Sequence, residues 1–171
     1  MRVAIIGATG TVGRAVASEL SPRHEIIEVG KTRGRYQADI TDPASIKALF
    51  VQTGRIDAVV ATTGKVHFGP LPDMSIDQFS VGLNDKLLGQ VQLALIALDF
   101  LNDAGSITLT SGILSHDPIP GGASASAVNG AIDSFVKAAA IELPRGIRIN
   151  AVSPTVLEES LPVYGPFFRG F

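Results

Sequence analysis

A run of glycines near the amino terminus has the spacing of a phosphate-binding loop. Glycine occupies positions 7, 10 and 13, between a β-branched run at 3–6 and a stretch with helical periodicity. Glycine permits a tight turn and lets the backbone approach a pyrophosphate, while the following helix offers unpaired N–H groups. The residues predicted to hold the pyrophosphate are Gly7, Thr9, Gly10, Thr11, Val12 and Gly13. A glycine-rich turn that only packs closely is the alternative.

The ligand of such a loop is predicted to be a dinucleotide rather than ATP or GTP, because no Lys-Ser or Lys-Thr pair follows the glycines. Chains that bind NAD usually carry an acidic residue at the end of the second strand. Here that region is basic, with Lys31, Arg33 and Arg35, and Arg14 lies in the first helical turn. These cations would pair with a 2′-phosphate, which favours NADP over NAD. A solvated basic loop is the other interpretation.

Apolar runs of strand length alternate with helical stretches along the chain. The predicted strands are 3–6, 26–29, 36–40, 56–61, 107–110 and 147–152. Predicted helices follow the glycine loop and the Asp42-Pro43 start signal; two more run from Ser75 to about Leu101 and over 121–143. This alternation implies βαβ units and a parallel sheet. We expect one doubly wound α/β domain of the Rossmann type over residues 1–171, with about six strands and helices on both faces.

Composition limits the partners and the location. The 171 residues, 46% apolar and 18% charged, fit one domain and exclude a disordered chain. A net charge of −2 argues against a nucleic-acid partner, and no apolar run reaches the ~20 residues of a membrane span. The sequence has no cysteine, and its three histidines share no ligand spacing, so no metal site is predicted. Because no signal peptide is recognisable, we expect a cytoplasmic protein.

Four stretches give the sequence a resemblance to the short-chain dehydrogenase/reductase family, which covers residues 2–160. Three of them are the glycine loop, Ala38-Asp39-Ile40 and Ala61-Thr62-Thr63-Gly64. The fourth, at 146–154, reads Gly-Ile-Arg-Ile-Asn-Ala-Val-Ser-Pro and is close to the family's I-R-V-N-x-V-x-P-G signature. This last motif is the most specific of the four.

The resemblance implies roles for residues at the ends of several strands. Asp39 would bond the adenine amino group, with Ile40 beside it, and Thr63 and Gly64 would line the adenine ribose. Residues 154–156 would face the nicotinamide amide. The cofactor residues implied in that last segment are Pro154 and Val156, and Thr155 stands where the family usually has glycine.

The catalytic residues of the family are largely replaced. Members of the family carry a Tyr-x-x-x-Lys pair on the fifth helix, a serine after the fifth strand and an asparagine on the fourth helix. Aligning the family's Y-S-A-S-K frame on the small-residue helix puts Ala123 at the tyrosine position and Ala127 at the lysine position. Lys86 falls at the asparagine position. Ser111 stands about where the serine lies, and Gly112 matches that position equally well.

Three side chains could supply the missing acid. Lys86 could act as a cationic acid near the nicotinamide, His116 belongs to a residue type that often serves as a general acid, and Tyr164 could reach in from beyond the sixth strand. Each also has an ordinary interpretation: a surface ammonium, a solvated histidine and a packed tyrosine. The predicted catalytic set is Ser111, Lys86 and His116. No role is assigned to Asn129 or Ser115.

We expect an NADP-dependent oxidoreductase that transfers a hydride between the nicotinamide and a small carbonyl or alcohol at a non-standard centre. The alternatives are an inactive NADP(H)-binding sensor and a nucleotide-sugar or isomerase-type activity. The resemblance implies a homo-oligomer through the fourth and fifth helices, and the small face at 138–140 would allow close approach. The apolar stretch at 166–171 is expected to dock on its own fold or on a partner subunit, and either the sheet edge is short or the natural chain is longer.

Overall fold

The computed structural model describes residues 1–167, which form one six-stranded parallel sheet in the order β3-β2-β1-β4-β5-β6. The strands are β1 (Arg2–Ile6), β2 (Glu25–Gly30), β3 (Tyr36–Gln37), β4 (Ile56–Ala61), β5 (Leu101–Thr110) and β6 (Arg148–Val152). The strand order reverses between β1 and β4. Loops that leave the carboxyl ends of these two strands diverge, and a crevice opens between them. The predicted doubly wound Rossmann-type domain is confirmed.

The α-helices of residues 1–167 are α1 (Thr11–Leu20), α2 (Pro43–Thr53), α3 (Ile76–Gly82), α4 (Gly89–Ala97), α5 (Ala123–Ala139) and α6 (Leu161–Tyr164). Two of them, α2 and α3, begin at start signals in the sequence. Asp42 caps α2 by accepting a hydrogen bond from the Ala44 amide at 2.9 Å. Ser75 and Gln78 form a reciprocal capping box that starts α3. Both caps were predictable from residue type and spacing alone.

Helices cover both faces of the sheet, as the alternation along β1 illustrates. Val3 and Ile5 pack with α1, whereas Ala4 and Ile6 belong to the larger core beneath α2, α4 and α5. Successive residues of a strand point to opposite faces, so a run that is apolar throughout is buried on both sides. All four of these side chains are almost fully buried.

The prediction of a helix from Ser75 to about Leu101 is wrong at its carboxyl end. The observed helical stretch continues from α3 through a π-helical turn, Leu83–Leu88, into α4 and ends at Ala97, and β5 begins at Leu101. The guanidinium of Arg145 donates to the carbonyl oxygens of Leu98 and Leu101. These tertiary hydrogen bonds engage the carbonyls just past the helix end, which a local apolar pattern does not reveal.

Smaller differences concern the ends of other elements. The structure gives α5 seventeen residues, against the predicted 121–143, and β3 only two residues, against 36–40. Of the apolar stretch at 166–171, the ring of Phe167 stacks on Phe68 with centroids 5.0 Å apart, and residues 168–171 lie outside the described residues. Within residues 1–167, every helix is too short or too polar to cross a membrane.

Candidate active site

The loop from Gly7 to Gly13 leaves no space for side chains at two of its glycines. Gly7 has φ +92°, and a Cβ there would lie 2.9 Å from the Thr62 carbonyl oxygen. A Cβ on Gly13 would lie 2.2 Å from the carbonyl oxygen of Gly7. Gly10 precedes α1, whose first-turn N–H groups have no earlier helical turn to pair with. This close-packed backbone and open helix start fit a pyrophosphate, because neither offers a side chain that would obstruct it.

A small cavity of about 60 Å³ beside this loop brings together residues that are far apart in the sequence. Its predicted cofactor residues are Gly7, Lys31, Asp39, Ile40 and Thr63. The Lys31 ammonium lies 2.9 Å from the Asp39 carboxylate. The hydrogen bond from the Lys31 ammonium, together with those from the Thr41 amide and hydroxyl, lowers the pKa of Asp39 to about 2. Asp39 is therefore an anion throughout the physiological range.

The other predicted cations gather near the glycine loop. Arg14 donates to the Thr9 carbonyl oxygen at 2.7 Å, and Arg33 is exposed in the turn between β2 and β3. That turn lies against the loop, since a Cβ on Gly30 would come within 3.0 Å of the Thr9 methyl group. Arg35 lies over the ring of Tyr36, 5.2 Å from its centroid. The glycine loop therefore has a basic rim on the β2 side.

A larger cleft of about 220 Å³ opens at the carboxyl ends of β5 and β6. One side is apolar, with contributions from Val66, Phe68, Ile113, Leu114, Val156, Leu157 and Tyr164. The polar side chains of its lining are Lys86, Thr110, Ser111, Asn129, Thr155 and Ser160. Among residues 1–167, the lining carries one charged group, Lys86. An apolar cavity with a few convergent polar groups is typical of a small-molecule site.

Lys86 lies in the π-helical turn, a type of irregularity that is frequent at functional sites. Its Nζ donates to the Ser111 carbonyl oxygen at 2.8 Å and to Oδ1 of Asn129 at 2.7 Å. Burial lowers the pKa of Lys86 to about 8, and the carboxylate of Asp133 opposes this shift. Gly64 has φ +133°, and a Cβ there would lie 2.5 Å from Cγ of Lys86, so the loop after β4 packs directly on the lysine stem.

Ser111 is part of the cleft, but its hydroxyl is already engaged. Its Oγ donates to the backbone carbonyl oxygen of Asn129 at 3.1 Å, and the residue is 2% exposed. Gln90, which is fully buried one turn after Lys86, donates to the Thr110 carbonyl oxygen and accepts from the Thr110 amide. The end of β5 is thus held both by α5 and by the helical stretch that carries Lys86.

The face of α5 that meets the cleft carries Ala125 and Asn129, four residues apart. Ala127 is exposed, and Ala123 does not belong to the cleft lining. The residues that face the cleft therefore lie two positions later in the sequence than the alignment with Ala123 and Ala127 predicts. Helical periodicity contains the signal that was missed. The buried stripe of α5 runs through Ala125, Asn129, Ile132 and Val136.

His116 does not line the cleft. Its exposed ring lies with Nε2 3.6 Å from a carboxylate oxygen of Asp133, and the same oxygen accepts a hydrogen bond from Ser115 Oγ at 2.7 Å. Because the serine and the histidine both contact the carboxylate rather than each other, this cluster is not arranged as a nucleophilic triad. Tyr164, in contrast, lines the cleft, and its ring centroid is 5.6 Å from that of Phe68.

The fold and the site define a Rossmann-type protein with a glycine loop and a separate apolar cleft. The closely similar solved structures include the protein lin1944 from Listeria innocua, which is 49% identical with a TM-score of 0.96 and is matched over 100% of this chain and 86% of that one. A small-chain dehydrogenase in complex with NADPH is 30% identical with a TM-score of 0.86, over 95% of this chain and 74% of that one.

Sequence comparisons give the same family. The family model described as enoyl-(acyl carrier protein) reductase matches residues 8–163. Versicolorin reductase stcU of Emericella nidulans is 30% identical over 94% of this chain and 70% of its own. Hydroxynaphthalene reductase arp2 of Aspergillus fumigatus is 26% identical over 94% of this chain and 68% of its own. The chain belongs to the short-chain dehydrogenase/reductase family of oxidoreductases, which use a nicotinamide cofactor.

Proposed function

We propose that this protein is an NADP(H)-dependent oxidoreductase that acts on a small carbonyl or alcohol, with Lys86 as its proton donor. The observation that carries this proposal is the half-buried Lys86, which supplies the one charged group among the described residues of a largely apolar cleft at the carboxyl edge of the sheet. The α5 residues in the cleft lining, Ala125 and Asn129, have no titratable proton, which favours an acid from another element.

The predicted cofactor residues fit a dinucleotide. The glycine loop would hold the pyrophosphate, Asp39 and Thr63 the adenosine part, and Pro154 and Val156 the nicotinamide end. When bound, NADPH supplies a hydride. The basic rim formed by Arg14, Lys31 and Arg33 supports a 2′-phosphate, and the NADPH complex of the 30% identical dehydrogenase supports the same preference.

Lys86 has the properties that the chemistry needs from the protein. A carbonyl that accepts a hydride develops negative charge on its oxygen, and a buried cation stabilises that charge more strongly than a solvated one. The lowered pKa of Lys86, about 8, leaves the amine protonated at pH 7 yet able to release its proton. The apolar side chains of the lining would reduce the contact of the reacting oxygen with water. Ser111 acts through its carbonyl oxygen, which holds the ammonium in place.

The test is NADPH oxidation with a panel of small ketones and aldehydes. We expect turnover by the wild type and a loss of roughly 10²–10⁴-fold in kcat for Lys86→Met, which keeps the stem and removes the acid. The matched control is Lys47→Met on the exposed side of α2, which should leave turnover unchanged. Binding of NADPH by calorimetry without turnover of any compound would favour the NADP(H) sensor. Binding of neither NADPH nor NADH would overturn both.

The oligomer and the location are part of the same proposal. Leu88 and Leu95 are more than half exposed and lie seven residues apart, on the same side of the helical stretch that carries Lys86. We propose that this face and the small-residue face of α5 form the interface of a homo-oligomer.

We also propose a cytoplasmic location, as expected from the sequence. Fractionation of cells that express the protein tests this location.

A further inference from the structure

The ammonium of Lys86 is held by neutral acceptors. It has three N–H donors, two of which are directed at Ser111 O and Asn129 Oδ1. Among residues 1–167, no carboxylate oxygen lies within 4.0 Å of its Nζ. When no carboxylate contacts a partly buried ammonium, neutral acceptors such as these orient it and favour its protonated form. The third N–H remains for a group inside the cleft.

Asn129 is fixed on both sides. The residue is 4% exposed, and its backbone carbonyl oxygen accepts the Ser111 hydroxyl at 3.1 Å. Its side-chain amide lies against Gly112, where an added Cβ would come within 2.6 Å of Nδ2. Gly112 has φ 172°, an extended conformation open to any residue, so contact with Asn129 rather than backbone geometry explains the glycine.

We propose that Asn129 is a positioning residue that orients the Lys86 ammonium, that Gly112 provides the space for its amide, and that the third N–H is thereby directed at the oxygen of a carbonyl substrate. The role toward the substrate rests on the proposed oxidoreductase function. The pairing of amide and ammonium does not, because it is a property of the protein without cofactor or substrate.

Other charges act on the same ammonium and must be kept constant. Asp133, one turn after Asn129 on α5, favours its protonated form, and His116 lies 3.6 Å from the Asp133 carboxylate. On the helical stretch that carries Lys86, the neighbouring Asp85 accepts a hydrogen bond from the Lys65 amide at 2.7 Å. Variants at Asn129 and Gly112 leave these residues unchanged.

Two nearly isosteric substitutions should move the titration of Lys86 in opposite directions. Asn129→Asp places a carboxylate against the ammonium, which favours the charged form and should raise its midpoint by about one pH unit or more. Asn129→Leu removes the acceptor and should lower the midpoint. The measurement is the pH dependence of the ¹³Cε shift of labelled lysine in the cofactor-free protein, with the Lys86 signal assigned by its loss in Lys86→Met. A residue that only filled space would not produce shifts of opposite sign.

A second pair of variants keeps the test independent of the folding of the Asn129 variants. Gly112→Ala should displace the amide and lower the Lys86 midpoint, as Asn129→Leu does. The matched control is Gly130→Ala, which adds the same methyl group next to Asn129, where the closest atom is Ser115 Cβ at 3.9 Å. That control should leave the midpoint unchanged. A Lys86 midpoint that stays in place in Gly112→Ala and in every folded Asn129 variant would overturn the inference.

Kinetics separate this inference from the proposed function. In the active enzyme, Asn129→Leu should lower kcat by about tenfold or more with little change in KM, and its pH profile should follow the shifted midpoint. If the midpoints move as expected but no carbonyl is reduced by the wild type, the proposed function fails and the positioning of Lys86 stands. If the wild type turns over and the midpoints do not move, the positioning role fails alone.

Discussion

Nζ of Lys86 and Oδ1 of Asn129 lie 2.7 Å apart although 43 residues separate them in the chain. The family resemblance leads one to expect an asparagine where Lys86 stands. If α5 is aligned so that Ala125, which lines the cleft, takes the family's tyrosine position, Asn129 takes the position of the family's lysine. We interpret this as an exchange of positions relative to the family pattern: the ammonium comes from the helical stretch before α4, and the amide comes from α5. The cleft then contains the same two groups as the family pattern, each supplied by the other helix.

Lys86→Met is expected to stabilise the protein while it removes activity. A partly buried cation without a contacting carboxylate costs free energy, and an unbranched apolar side chain avoids that cost. Because the pKa of Lys86 in the folded protein, about 8, lies below the ordinary lysine value of 10.5, the unfolded chain binds more protons between these two pH values, and wild-type stability increases with rising pH there. The variant should lack this gain, which amounts to roughly 3 kcal/mol. Urea unfolding of both proteins from pH 7 to 10.5 measures it, and parallel curves would contradict it.

Tyrosine substitutions test which residues of α5 face the cleft. In Ala125→Tyr the phenol should lie beside the Lys86 ammonium. The positive charge should lower the pKa of the phenol below its usual value of about 10. In Ala127→Tyr, the matched control, the phenol lies on the exposed side of the helix and should titrate normally. Phenolate absorbance against pH reports both. Equal titration of the two variants would restore the frame based on Ala123 and Ala127.

Arg33→Ala should weaken NADPH binding by about tenfold or more and leave NADH binding nearly unchanged, because hydrogen bonds to charged groups contribute about 1.5–3 kcal/mol. Arg33 is exposed and makes no ion pair within the described residues, so its removal should not disturb the fold. The control is Arg23→Ala, which removes another exposed cation, one that pairs with Glu19 near the far end of α1. Calorimetry measures the affinity of each variant for NADPH and for NADH. An equal loss of affinity for the two nucleotides in Arg33→Ala would refute a contact between Arg33 and the 2′-phosphate.

Gly13→Ala should destabilise the fold by about 3 kcal/mol or more, because its Cβ would meet the Gly7 carbonyl oxygen at 2.2 Å. Gly10→Ala is the milder comparison, since the same oxygen lies 3.3 Å from the added Cβ. We expect a large fall in Tm for the first and a small one for the second. A well-folded Gly13→Ala protein that still binds dinucleotide would show that the loop has more room than its backbone suggests.

Leu95→Glu should lower the mass of the assembly if the exposed face of α4 forms the homo-oligomer, because a buried interface rarely tolerates an unpaired carboxylate. Val51→Glu on α2 is the control, since Val51 is also well exposed, at 67%, but lies on another helix. Sedimentation at micromolar concentration compares the two variants. Wild-type protein that sediments as a monomer would contradict the proposed oligomer.

Local signals predicted most of the fold. The glycine spacing at 7–13 marks the first turn, the Asp42-Pro43 pair and the Ser75 capping box mark helix starts, and apolar runs mark the strands, although β3 is shorter and β5 longer than predicted. The end of α4 was missed because it depends on Arg145, which arrives from another part of the chain.

The candidate active site was predicted less completely. The alignment position predicts a role for Lys86 but not for its partner Asn129, because the small-residue motif at 123–127 conflicts with the helical periodicity that places Asn129 on the buried face of α5. His116 lies outside the cleft, with its Nε2 3.6 Å from the Asp133 carboxylate, and no spacing rule in the sequence connects these two residues.

The double hydrogen bond between Gln90 and the backbone of Thr110 has a consequence for how the cleft works. Gln90 follows Lys86 by one helical turn, so the backbone that carries the lysine cannot move away from β5 without breaking both hydrogen bonds of a fully buried amide. We therefore expect this wall of the cleft to keep its shape when a ligand binds, and any adaptation to the ligand to come from the wall that Tyr164 supplies from α6.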